Sequence, residues 1–133
     1  MKRLLFISIF ISFTLVVKSQ DKDTTAQNIV FVVVEKQPEF PGGFDMLNKF
    51  IKNNLSSVVK NNLNSGNITG MVILNFVVER DGSLTNIKVI KSLSKEADNE
   101  AIRIMSRSPK WKPGIQNNRP VRVDYTIPIR LPM

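Results

Sequence analysis

Along the chain, stretches in which apolar residues recur every two positions exchange with stretches in which they recur every three or four. Ile29-Val-Phe-Val-Val-Val34 is a continuous β-branched and aromatic run that predicts a strand. Pro38, Pro41, Gly42 and Gly43 then punctuate the sequence, and Phe44, Leu47, Phe50, Ile51, Leu55 and Val58 follow at helical spacing with Lys49, Lys52 and Asn53 outside. One amphipathic helix is predicted there, with Asp45 suited to the positive end of its dipole, followed by a polar loop from Asn61 to Asn67. From Gly70 the period changes to two. Val72, Leu74, Phe76 and Val78 share one face, and Met71, Ile73, Asn75, Val77 and Glu79 the other. Arg80-Asp81-Gly82-Ser83 interrupts the alternation and Leu84 to Lys91 resumes it, which predicts a hairpin turning through a type I′ turn at Asp81-Gly82.

Ser94 can cap a second helix whose buried stripe is Ala97, Ala101, Ile104 and Met105, and Pro109 forces it to stop. Glu96, Asp98 and Glu100 come early in it and Arg103 and Arg107 late, the order the helix dipole prefers. After the turn-rich stretch from Pro113 to Pro120, Val121, Val123, Tyr125, Ile127, Ile129 and Leu131 alternate with Arg122, Asp124, Thr126 and Arg130. This is a half-buried strand. Pro128 inside it cannot donate to a ladder, which argues for a sheet edge, and an exposed edge can accept an extended peptide by strand addition. Arg122, Asp124, Thr126, Pro128 and Arg130 are therefore candidate partner contacts; the same residues would equally serve as a solvated face that protects the edge. Trp111, flanked by Lys110 and Lys112 and then by Pro109 and Pro113, reads either as an interface anchor or as a core residue closing a turn. The two prolines favour the core.

Composition narrows the functional classes. A length of 133 residues, 42% hydrophobic and 23% charged, fits one globular domain. Lys2 and Arg3 lead into fourteen mostly apolar residues, Leu4 to Val17, ahead of Lys18-Ser19-Gln20. That layout predicts a secretory signal over residues 1–19, cut before Gln20. As a helix it would cover about 21 Å, short of a hydrocarbon core of ~30 Å, so a membrane association is expected only if the segment stays uncleaved. Residues 20–37 then form a tether that carries the first strand, and 38–133 the folded domain. Removing the leader takes away three cations and no acid, lowering the net charge from +8 to +5. The remaining cations are scattered, and no nucleic-acid partner is expected.

With neither cysteine nor histidine in the chain, thiolate catalysis, histidine triads and histidine-containing zinc sites are excluded. Gly42-Gly43 lacks the spacing of a phosphate loop, and helix polarity accounts for the Glu96, Asp98, Glu100 cluster. No catalytic residue, cofactor or metal is expected.

Several punctuated motifs together resemble one family. They are Pro38-Glu-Phe-Pro-Gly-Gly43, then Gly70 with Phe76-Val-Val78 and Asp81-Gly82, then Asp98, Ala101 and Arg103. Pro109-Lys-Trp-Lys-Pro-Gly114 with Arg119-Pro-Val-Arg-Val123, Tyr125 and Pro128 makes the resemblance specific, over roughly residues 36–131. The family is the TonB carboxy-terminal domain, and the opening motif resembles its Bacteroidetes version. Pro41, Gly42, Gly43, Gly82, Pro109, Trp111, Pro113 and Gly114 are its structural signature here. The resemblance implies an α+β fold, two helices on one face of an antiparallel sheet of about three strands, with room for an extra N-terminal strand. It also implies a periplasmic protein-binding domain, not an enzyme, that engages the TonB-box peptide of an outer-membrane receptor, or another envelope protein, in energy-coupled transport. The long proline-rich arm and histidine-bearing anchor of the full-length pattern are not in this sequence, and Ser56-Ser57 stands where the family has Tyr-Pro. Energy transduction is therefore left open. A structural or assembly module on the same fold, as a homodimer through Met71, Ile73 and Val77, is the second reading.

Overall fold

A computed structural model describes residues 28–66 and 69–131. The leader, the cut before Gln20, most of the tether and Asn67 lie outside the described residues. The elements are β1 (Val30–Phe31), α1 (Gly43–Asn54), α2 (Ser57–Asn64), β2 (Gly70–Val78), β3 (Leu84–Lys91), α3 (Lys95–Ser106), β4 (Gly114–Gln116) and β5 (Arg119–Leu131). The sheet order is β1-β5-β2-β3, with β4 paired to β5. Since β1 runs parallel to β5 while the other pairs are antiparallel, the sheet is mixed. Among the described residues no helix is long and apolar enough to cross a membrane.

The alternation in β2 produces the core directly. Val72, Leu74, Phe76 and Val78 are fully buried against Leu47 and Ile51 of α1 and Ala97, Ala101, Ile104 and Met105 of α3, and Ile127, Ile129 and Leu131 of β5 extend the same layer. Ser94 caps α3 as its position predicts, its Oγ accepting from the Ala97 N–H at 3.1 Å. Entry into α1 is a type II turn: the Gly43 N–H donates to the Phe40 carbonyl at 2.7 Å, Pro41 fits the first central position, and Gly42 at φ 85°, ψ 5° fits the second.

Three expectations are corrected by the structure. The single helix ends at Asn54, Leu55 is extended at φ −60°, ψ 133°, and α2 occupies most of the stretch expected to be a polar loop. Val59, not Val58, is then the buried residue, and Phe44 is 62% exposed. The strand expected over Ile29–Val34 is only two residues long, because the chain leaves β5 after Phe31 and is tied instead to β4 through Lys36 and Ile115. The β2–β3 turn is not type I′. Its Glu79 and Ser83 are joined by a 2.8 Å bond, Gly82 N–H donates to the Glu79 carbonyl at 2.9 Å, and only Gly82 has positive φ, the three-residue turn that ends in a glycine bulge. The two-residue type I′ turn is at Asn117-Asn118, with φ 50° and 60°, between the paired Gln116 and Arg119.

Candidate partner-binding edge

β5 is the longest strand, and its two sides differ. Val123 to Leu131 pair without interruption to β2, from Val78↔Val123 to Gly70↔Leu131. β4 pairs with Arg119 to Val121, and on the side away from β2 β1 covers Arg122 and Val123. From Asp124 onward, among the described residues, that side carries no strand. β5 is thus an edge strand over its C-terminal half, and β1 covers that side at Arg122 and Val123 alone among the described residues.

Pro128 lies opposite Ile73 in the ladder. An unbroken ladder through a residue without an N–H is what results when its nitrogen faces away from β2. Residues two apart on a strand have the same backbone orientation, so the N–H groups of Thr126 and Arg130 also face the free side. The other edge of the sheet, β3, is of a different kind. Asn86 has φ 53°, the register to β2 shifts twice, and Lys88 and Lys91 stand exposed along it. Bulges and lysines are the devices that blunt an edge.

The polar face of β5 is partly occupied by the domain itself. The Arg122 guanidinium forks onto the Glu79 carboxylate, Nε to Oε2 at 2.8 Å and Nη2 to Oε1 at 3.1 Å. That arginine holds Glu79 below the usual glutamate range, with burial opposing and the Thr85 hydroxyl assisting. Asn75, buried on this face, donates its amide to Asp124 and, at 3.1 Å, to Thr126 Oγ1. Thr126, Pro128 and Arg130 remain exposed. Pro128 and Arg130 also line a groove of about 530 Å³ whose other wall is α1, at Phe44, Asn48 and Lys52. On the back face, Met71 and Ile73 are half-buried and Val77 is 7% exposed.

Trp111 lies in the core at 4% exposure. Its ring meets Phe40, Phe76 and Tyr125 edge-on at centroid distances of 5.7, 5.4 and 5.7 Å, and its Nε1 donates to Ser108 Oγ at 2.8 Å. Its backbone N–H donates to the Gly82 carbonyl at 2.8 Å. The model of the Gram-negative bacterial TonB protein C-terminal family matches residues 62–131, more than half of the chain. The chain belongs to that family. No curated protein and no solved structure matches it. The TonB C-terminal family is one of protein-interaction domains of the cell envelope, and the matched span holds the hairpin, α3, the Pro109 to Gly114 motif and the whole of β5.

Within this TonB C-terminal domain the signature residues surround Trp111. Pro109 follows the end of α3, and Lys112 pairs with Glu39 by bonds of 2.8 and 3.0 Å, bringing the Pro41-Gly42-Gly43 turn alongside. Gly114 has no room for a side chain, since a Cβ there would lie 2.4 Å from Val123 Cγ2. A network unforeseen from the sequence joins the helices: Arg103 pairs with Glu100 at 2.7 Å and donates to the Asn54 carbonyl at 2.5 Å, while Glu100 accepts the Ser56 N–H. Arg103 keeps Glu100 below the usual glutamate range, again against burial. The partners are 44 and 49 residues apart, so local pattern held no sign of them.

Proposed function

We propose that this chain is an exported periplasmic TonB C-terminal domain that binds an extended segment of an outer-membrane TonB-dependent receptor, or of a related envelope protein, by strand addition to β5 between Asp124 and Leu131. The N-terminal nineteen residues act as a cleaved signal in this reading, and the described domain is the binding unit. The observation that carries it is the one-sided pairing of β5: a regular, unbulged run whose side away from β2 carries no strand among the described residues from Asp124 onward. Main-chain hydrogen bonds give such a complex its affinity and flanking side chains its selectivity.

The test is Thr126→Pro. Because the Thr126 N–H shares the orientation of the Pro128 nitrogen, the variant keeps the β2 ladder and loses a donor on the free edge. Thr126→Val, which loses only the side-chain bond to Asn75, is the control. Binding to a receptor segment, read by calorimetry, should fall at least tenfold for the proline variant, roughly the loss of one or two main-chain bonds, and change little for the valine variant. A folded Thr126→Pro chain, checked by circular dichroism and melting, that binds with undiminished affinity would refute strand addition here.

A further inference from the structure

The groove beside the free edge combines an apolar floor with unpaired cations. Phe44, Asn48 and Lys52 are spaced four apart on α1 and form one stripe, with Lys49 next to it. Across the groove stand Pro128 and Arg130 of β5, and Met71, the register partner of Arg130. Phe44 is far more exposed than Leu47 or Ile51 on the same helix, so the packing of this domain leaves its ring without a core role. Among the described residues, no carboxylate pairs with Lys49, Lys52 or Arg130, whereas Arg103 and Arg122 are each engaged by a glutamate. No acidic residue lines the groove. A second hollow shares Met71 and Arg130 and adds Lys91, prolonging the cationic strip past the end of β5.

Resting on the strand-addition reading, we infer that this groove selects extended segments in which an apolar side chain is flanked by carboxylates. Strand addition alone is indifferent to sequence, because it reads backbone. An apolar side chain projecting from the added strand would be covered by Phe44, Met71 and Pro128, and its acidic neighbours would meet the three cations at the rim. Complementary charge at a partly desolvated rim favours the matching partner and disfavours neutral or basic ones.

The experiment compares two capped extended peptides, identical except that the central phenylalanine is flanked by glutamates in one and glutamines in the other. Both are titrated against the full chain by fluorescence anisotropy. The glutamate peptide should bind about tenfold tighter at low salt, the sum expected of a few exposed pairs. That preference should vanish near ~1 M salt and in the triple variant Lys49→Gln, Lys52→Gln, Arg130→Gln with unchanged melting. Phe44→Ser should weaken both peptides alike. Equal affinities for the wild type, or a preference that survives the triple variant, overturn the inference. If both peptides bind equally and Thr126→Pro weakens both, strand addition stands and only the charge selection falls. If neither binds, both readings fall. Sedimentation with phosphatidylglycerol vesicles through the same three cations, without any peptide preference, would assign them to a lipid surface and overturn the inference as well.

Discussion

Trp111 is fixed at once by its rings and by its backbone. Three aromatic neighbours enclose the indole, and the peptide of Trp111 runs so close to Gly82 that a Cβ on Gly82 would lie 2.0 Å from the Trp111 carbonyl oxygen. Gly82 also has φ 85°, where other residues are strained. Trp111→Ala should therefore cost about 3–5 kcal/mol in chemical denaturation, and Gly82→Ala should destabilise as well although it adds only a methyl. A Gly82→Ala chain of wild-type stability would show that the close approach relaxes freely. The lone tryptophan between two prolines was legible as core because such a frame fixes a ring under a turn. Glu100 was not. Helix polarity accounted for it, and only the fold brings Ser56 and Asn54 within reach of the Glu100 and Arg103 pair. Its acid dependence follows from the sign of its shift. Glu79 and Glu100 both have lowered native values, so the unfolded chain binds protons first as pH falls. Their stabilisation is complete above the unfolded glutamate range and is lost as pH drops through the native values. Glu100→Gln should accordingly be destabilised at neutral pH and approach wild type as pH falls below the unfolded glutamate range and through the native value, as read by denaturant midpoints; a constant difference across that range would separate Glu100 from the acid limb.

At the scale of elements, period and punctuation located every strand of more than three residues and both long helices. What they missed are places where a local rule had a competitor. Phe44 to Val58 has a helical period throughout, yet the backbone opens at Leu55 because Ser56 can cap a new helix, its Oγ meeting the Val59 N–H at 3.4 Å, and because Arg103 and Glu100 satisfy the groups exposed on either side of the break. The hairpin turns were exchanged for a similar reason. Asp81-Gly82 fits a type I′ turn by composition, but the Asp81 carboxylate instead accepts from both the hydroxyl and the N–H of Ser83, and its pKa falls to about 2 mainly through those bonds. Asn117-Asn118 takes the type I′ geometry that asparagine tolerates and β-branched residues do not. Asn118→Val should cost about 1–2 kcal/mol, the penalty of one side chain forced into the left-handed region, while Asn118→Gly should be nearly neutral. Equal melting of the two variants would mean that the turn adopts another geometry without loss.

For the whole molecule, the sheet order makes β2 the interior and leaves two dissimilar edges. β2 is paired on both sides and its inward residues are fully buried, so its amides should exchange only through global unfolding. β1, held by two residue pairs, should open far more readily. The sequence could show that β5 has one apolar face, but not that β1 covers the side away from β2 only at Arg122 and Val123, because that depends on pairings across more than eighty residues. The consequence is an alternating exchange pattern within one strand. Tyr125, Ile127 and Ile129 donate towards β2 if Pro128 faces away from it, and their amides should be slow; Thr126 and Arg130 face the open side and should be fast. A partner that adds a strand must slow those fast amides while leaving the slow ones almost unchanged, since they already exchange only with the core. Exchange measured residue by residue by NMR, with and without a receptor segment, distinguishes this from docking on the back face around Met71 and Ile73, which would protect side chains without altering the alternation. New protection confined to β3, or none at Thr126 and Arg130, would place the partner elsewhere on the domain.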